Sequence, residues 1–187
     1  ILMKKIIALL AAVTAFASVA FAAENPAVIK INETVLLTPF GQSQDANFIN
    51  LMTKKNKITY SLAIFPNDVK WDEVKSMIVV LGGSGKGLGA AGLDIPSELA
   101  RCNALLAAAK EHNVKVVAMH IGGQDRRGPN SAPFLTFAGD ADFMVVRADG
   151  NVDGYFTKLC AEKNVPLYTI QKTSELRKLL GDMIVKQ

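Results

Sequence analysis

The chain has 187 residues, half of them hydrophobic, with two cysteines and a formal net charge of +4 at pH 7. That charge includes Lys4 and Lys5 of the N-terminal segment, so the remaining chain carries only +2. The basic residues are spread out and the single tryptophan, Trp71, stands beside two acidic residues, whereas a nucleic-acid-binding surface needs a dense basic stripe with stacking aromatics. We therefore expect no nucleic-acid partner.

The N-terminal segment has the pattern of a signal peptide. Lys4 and Lys5 precede an uncharged apolar run, and Ala20-Phe21-Ala22 supplies a small-x-small cleavage site. The run is shorter than the ~20 residues that span a bilayer. We expect residues 1–22 to be cleaved near Ala22, the protein to be periplasmic or otherwise extracytoplasmic, and the mature chain to have no stable membrane span.

After a leader at residues 23–34, residues 35–187 have the pattern of a single α/β domain. The predicted strands cover residues 35–40, 58–65, 76–81, 115–121, 142–147 and 166–170, and the predicted helices cover 45–54, 94–112, 152–163 and 173–185. Apolar strands that alternate with helices indicate a mainly parallel sheet covered on both faces. We expect a doubly wound, flavodoxin-like or Rossmann-like three-layer sandwich of 5–6 strands, with strand order 2-1-3-4-5 and the sixth strand at the edge.

Cys102 and Cys160 each fall on the apolar face of a predicted helix. A disulfide between them would need Cα atoms within about 7 Å of each other. Buried thiols that pack as small hydrophobic groups are the favoured alternative. The sequence leaves the choice open.

Two of the predicted strands run into glycine-rich loops that carry positive charge. The first loop contains Lys86 and the second contains Arg126 and Arg127. The first lacks the glycine spacing of a Walker loop, and Gly87 stands where that loop has Ser or Thr, so no nucleotide cofactor is expected. Because the carboxyl ends of parallel strands meet at one edge, the loops predict a shared site for a small anion. The expected ligand-binding residues are Gly41, Gln42, Ser43, Gly83, Ser84, Gly85, Lys86, His120, Gly122, Gly123, Arg126, Arg127, Asp149 and Asn151.

A hydrolase or transferase is an alternative. His120 ends a strand, and it could act as the base for Ser43 or Ser84, with Asp149 or Asp125 orienting the ring. The first glycine loop does not match the G-x-S-x-G nucleophile elbow, because Lys86 stands in the place of its second glycine. Binding is therefore favoured over catalysis.

Residues 149–154 match the first half of a calcium loop, in which Asp149, Asn151 and Asp153 would be ligands. The twelfth position of such a loop should be Glu, and here it is Cys160. Turn and helix-cap roles for the three side chains are the favoured alternative.

Four groups of segments occur together in this chain: Leu36-Leu37-Thr38 with Gly41-Gln42-Ser43; Gly82-Gly83-Ser84 with residues 86–92; residues 119–123 with Arg126-Arg127-Gly128; and residues 148–151 with Asp153-Gly154. The combination resembles a bacterial family, domain of unknown function 6305, over nearly all of the mature chain. The resemblance implies a small exported α/β protein and implies no activity, ligand or catalytic residue.

The function that we predict from the sequence is binding of a small anionic metabolite outside the cytoplasm, at the carboxyl ends of the parallel strands. A transporter or another envelope protein could receive the ligand. A third possibility is an envelope module whose glycine loops bind another protein.

Overall fold

A computed structural model describes residues 24–186, so the predicted signal peptide, residues 1–22, lies outside the described residues. The strands are β1 (Ile31–Asn32), β2 (Val35–Phe40), β3 (Tyr60–Leu62), β4 (Ser76–Leu81), β5 (Lys115–His120), β6 (Phe143–Arg147), β7 (Leu167–Ile170) and β8 (Ile184–Val185). The helices are α1 (Asp45–Lys55), α2 (Gly85–Ala90), α3 (Ile95–Glu111), α4 (Ala132–Leu135), α5 (Tyr155–Lys163) and α6 (Leu176–Met183). Within residues 24–186, no helix has the length and apolar character needed to cross a membrane.

Six strands form one parallel sheet in the order β3-β2-β4-β5-β6-β7. This order confirms the predicted doubly wound topology, with the strand at residues 166–170 at the edge. The central strand β4 is buried at all six positions, as its unbroken apolar sequence indicates.

Each face of the sheet has its own hydrophobic core. On one face, Leu36 and Phe40 of β2 pack with residues of α3 and α5. On the other face, Val35 and Leu37 pack with residues of α1 and α6. Alternate side chains of a strand point to opposite faces, so this one strand contributes to both layers. The molecule is the predicted three-layer sandwich.

The two ends of the described chain meet beside the sheet. The C-terminal helix was predicted to reach residue 185, but α6 ends at Met183, and Ile184–Val185 forms a parallel pair with β1 in the leader. The leader also covers the free edge of β7, where the Asn25 side chain exchanges two hydrogen bonds with the Thr169 backbone, at 2.7 and 2.8 Å. An unpaired edge strand invites association with other chains, and this contact blocks part of it.

Three further elements differ from the sequence prediction. The strand predicted at residues 58–65 is only the three residues of β3. The helix predicted from residue 152 begins at Tyr155, and Val152 is 66% exposed. Residues 85–90, predicted as a loop, form α2, whose first turn is capped by the Ser84 hydroxyl accepting from the Gly87 backbone N–H at 3.0 Å. Three glycines disfavour a helix, so the cap and the packing around it override propensity.

Cys102 and Cys160 are free thiols, both buried in the same core. Burial raises the pKa of Cys102 to about 12 and that of Cys160 to about 11. They pack as small hydrophobic groups, and a thiol so held has little of the reactive thiolate form.

The segment after β5 covers the switch point between β2 and β4, where ligands of doubly wound proteins commonly bind. The buried Phe134 ring of α4 packs directly on Gly41, and the Ser131 hydroxyl accepts a hydrogen bond from the Gly83 backbone N–H at 2.8 Å. A Cβ at Gly83 would overlap the backbone of Asn130. Because of these contacts, the central crevice is filled by the chain itself.

Two alanine substitutions test this close packing. Gly83→Ala should lower the free energy of unfolding by about 3 kcal/mol, because the overlapping atoms belong to the backbone and cannot move aside easily. Gly89→Ala on α2 meets nothing within 4 Å and should stabilise the protein by ~0.5–1 kcal/mol through helix propensity. Urea denaturation of both variants gives the comparison, and equal stabilities would contradict the packing described.

Candidate functional site

The predicted site loops all emerge at the carboxyl edge of the sheet, and neighbouring loops touch. Ser43 lies beside Gly82, Gly85 lies beside the Asn130 side chain, and Gly150 packs on the His120 ring. The side chains do not line one open cleft, however. His120 is fully buried, whereas Lys86, Arg126 and Asp149 are exposed.

His120 is held between two backbone carbonyls. Its Nδ1 lies 3.0 Å from the Leu81 oxygen and its Nε2 lies 3.1 Å from the Gly123 oxygen. A neutral imidazole has one N–H and can donate to only one of them. Burial lowers the pKa of His120, which favours the neutral ring. The ring therefore lies between the end of β4 and the loop that follows β5.

The two candidate nucleophiles have other partners. The Ser43 hydroxyl accepts from the Asp45 backbone N–H at 3.3 Å, and the Ser84 hydroxyl caps α2. Both ring nitrogens of His120 face carbonyl oxygens, so the contacts of the described residues give no support to a serine–histidine pair. Catalysis stays an untested alternative.

Acidic neighbours neutralise two arginines near the loop cluster. Arg127 pairs with Asp153 and lies over the Tyr155 ring at 5.0 Å. Arg147, which the sequence analysis did not single out, pairs through two nitrogens with Asp149, and this contact lowers the pKa of the Asp149 carboxyl. Within residues 24–186, Lys86 and Arg126 form no ion pair.

The three proposed calcium ligands are also engaged elsewhere. Besides the two arginine pairs of Asp149 and Asp153, the Asn151 side-chain oxygen accepts from the Phe156 backbone N–H at 2.9 Å. Asp153 also accepts from the Tyr155 backbone N–H. No group of three His, Cys, Asp or Glu side chains with metal-binding geometry occurs in the described part of the chain. These contacts match the helix-cap alternative.

An open pocket lies one strand away from the filled crevice, at the carboxyl ends of β2 and β3. It has a volume of about 730 Å³ and is bounded by α1, α2 and the loop after β3. Its lining residues are Leu37, Pro39, Gln42, Ser43, Gln44, Ala46, Asn47, Asn50, Leu62, Ala63, Ile64, Phe65, Asp68, Gly87, Ala90 and Ala91.

The chemistry of this pocket differs from the site predicted from the sequence. Of the predicted site residues, only Gln42 and Ser43 line it. Its lining contains no lysine, arginine or histidine, and Asp68 is its only charged side chain. Four side-chain amides, together with apolar residues, make up most of the wall. Such a wall suits a ligand that combines apolar surface with several hydrogen-bonding groups.

A buried ion pair fixes the inner wall of the pocket. Glu98 and Arg101 of α3 are 0% and 5% exposed, and two nitrogens of Arg101 lie 2.7 Å from the two Glu98 oxygens. Glu98 also accepts from the Gly41 backbone N–H at 2.8 Å and from the Gln42 side chain. Arg101 donates to the backbone oxygens of Pro39 and Ile64. The pair thereby joins α3 to both loops that form the pocket.

This ion pair is absent from the residues predicted from the sequence to form the site. Glu98 lies at the i, i+4, i+7 and i+11 spacing with Cys102, Leu105 and Ala109, all of which are buried. A carboxylate on a buried helix face needs a partner, and Arg101 three residues later is in reach. The spacing is therefore the sequence feature that indicates a buried ion pair at these positions.

The fold and these contacts define a small α/β protein with a six-stranded parallel sheet, a separate two-stranded pair and an open pocket at the carboxyl edge of the larger sheet. The sequence model of a protein family described as "Domain of unknown function (DUF6305)" matches residues 32–184. The chain therefore belongs to this family. Searches of curated proteins and of solved structures gave no match.

Removing one member of the buried ion pair should destabilise the whole domain. Glu98→Gln leaves the Arg101 charge without its counter-ion, and we expect a loss of about 3–5 kcal/mol in the free energy of unfolding. The matched control is Glu162→Gln on α5, which removes the same charge from an exposed pair with Lys158 and should cost ~0.5 kcal/mol or less. Urea denaturation measures both, and similar values for the two variants would contradict the role assigned to Glu98.

Proposed function

We propose that this protein binds a small organic molecule in the pocket between α1, α2 and the loop after β3, and that it does so outside the cytoplasm. One observation carries the proposal: an open pocket of about 730 Å³ with four side-chain amides on an apolar wall. Small-molecule sites have this size and this mixture of groups.

The anchoring of the walls supports the proposal. Pro39, Gln42 and Ile64 line the pocket and are also hydrogen-bonded to the Glu98–Arg101 pair. A wall held before the ligand arrives reduces the ordering cost of binding. The geometry thus favours binding over the hydrolase alternative, because the His120 ring is sealed between two carbonyl oxygens.

The anionic ligand predicted from the sequence stays a prediction. Lys86 and Arg126 are exposed, and they enter no ion pair among the described residues. Neither lines the pocket, however. An anion would therefore have to bind at the loops rather than in the pocket proposed here.

A thermal-shift screen of the mature protein against small metabolites tests the binding proposal. A ligand at one hundred times its dissociation constant should add about 2.7 kcal/mol to the free energy of unfolding. This corresponds to a rise in melting temperature of roughly 5–10 °C for a domain of this size. Sugars, amino acids, amines, dicarboxylates and sugar phosphates cover the main chemical classes.

Two tryptophan variants locate the site of any compound that binds. Ala90→Trp places a large ring at the pocket lining and should abolish binding. Ala107→Trp adds the same ring on α3, in a separate surface groove, and should leave binding unchanged. Failure of every class to stabilise the protein, or unchanged binding to the Ala90→Trp variant, would contradict the proposal.

Export is supported by Lys4, Lys5, the apolar run and the Ala20-Phe21-Ala22 pattern. When the gene is expressed in a bacterium, the protein recovered from the extracytoplasmic fraction should have its N-terminus near Ala23. Recovery of the uncleaved chain from the cytoplasm alone would contradict export.

A further inference from the structure

We infer that the ligand of the pocket is a small organic amine, bound through its ammonium group. This inference rests on the binding function proposed above and adds the chemical class of the ligand. Three features of the pocket lining lead to it: one oriented amide, one unpartnered oxygen and one charge.

The amide of Gln42 is oriented by the buried ion pair. Its Nε2 lies 3.3 and 3.2 Å from the two carboxylate oxygens of Glu98. A carboxylate only accepts hydrogen bonds, so the NH₂ group of Gln42 must point toward it. Arg101 holds the Glu98 carboxylate in place through two contacts of 2.7 Å. The group that Gln42 has left to offer a ligand is therefore its carbonyl oxygen, an acceptor.

Asn50 supplies a second acceptor. It lies on α1 and lines the pocket, and its buried Oδ1 has no hydrogen-bond partner within residues 24–186. A buried acceptor without a partner is destabilising. Because this oxygen is closed off from solvent, a half-turn of the Asn50 amide is needed to present it to an N–H or O–H group of a ligand in the pocket, and the bond formed would satisfy the acceptor.

The charge of the lining selects among donors. Asp68 is the only charged side chain that lines the pocket, and the Glu98–Arg101 pair behind the wall is neutral as a whole. The pocket thus has negative charge and unsatisfied oxygen acceptors without a cation. A carboxylate or phosphate would meet repulsion there, whereas an ammonium group offers three N–H donors and the complementary charge.

The apolar part of the lining accommodates the rest of such a ligand. Leu37, Pro39, Leu62 and Phe65 lie on the β2 and β3 side of the pocket, and Phe65 is 44% exposed. An aromatic ring beside a negative pocket also attracts cations through its face. An ammonium group on an aliphatic or aromatic body therefore matches the pocket better than a fully polar ligand.

The test uses three probes with one body and different head groups: 2-phenylethylamine, 2-phenylethanol and phenylacetate, titrated at pH 7 into the mature protein and followed by two-dimensional NMR. The amine should bind at least about tenfold more tightly than the carboxylate, with the alcohol between them, since one charged hydrogen bond accounts for that ratio. Equal affinities, tightest binding of the carboxylate, or no binding of any probe at millimolar concentration would overturn the inference.

Two variants that each remove one negative charge distinguish a local effect of Asp68 on binding from an effect of the net charge of the protein. Asp68→Asn should lower the affinity for the amine by about threefold or more and leave the affinity for the alcohol unchanged. Asp72→Asn removes the same charge from an exposed position outside the pocket lining and should change neither of these two affinities. Equal effects of the two variants on the amine would overturn the inference.

The role of Asn50 as an acceptor is tested by Asn50→Leu, which removes the acceptor and should lower the affinity for both the amine and the alcohol. Asn103→Leu on α3, in the separate surface groove, is the matched control and should leave both affinities unchanged. Unchanged affinity in Asn50→Leu would overturn the part assigned to this residue.

The metabolite screen keeps the two proposals distinguishable. If a sugar or another non-amine binds, and Ala90→Trp abolishes this binding, the pocket is supported as the binding site and the inference of an amine ligand is overturned. Failure of every class in the screen would overturn the binding function itself.

Discussion

The ion pair of Glu98 and Arg101 is the interaction on which the functional end of this molecule depends. A charge pair removed from water is costly unless every remaining donor and acceptor is used. Here that requirement is met by the backbone at Pro39 of β2, by the backbone of two loops at Gly41 and Ile64, and by the Gln42 amide. The need to satisfy two buried charges therefore fixes the path of both loops, and these loops form the inner wall of the pocket.

The position of the pocket follows from how the chain fills the centre of the carboxyl edge. Phe134 packs on Gly41 and Ser131 bonds to Gly83, so the switch point between β2 and β4 is covered by the segment that precedes β6. The open volume lies next to β3, a three-residue strand at the edge of the sheet. A short edge strand leaves room between α1 and the following loop, and this room is the pocket.

The sequence predicted the sheet well because its strands are signalled locally. Residues 35–40 and 76–81 are apolar runs with the bounds of β2 and β4, and Asp94 with Pro96 marks the start of α3. The glycine-rich α2 was missed because its stability comes from a cap and from contacts rather than from propensity. The pocket could not be located from strand order alone, since its lining depends on loop paths that the Glu98–Arg101 pair sets across 57 positions of sequence.

A crystal structure of the mature protein soaked with 2-phenylethylamine would show whether the amide-lined pocket beside β3 is the ligand site. We expect density for the amine between α1 and α2, with its nitrogen within hydrogen-bond distance, about 3 Å, of the Gln42 or Asn50 carbonyl oxygen. Density at Lys86 and Arg126 with an empty pocket, or a pocket closed by its own side chains, would contradict it.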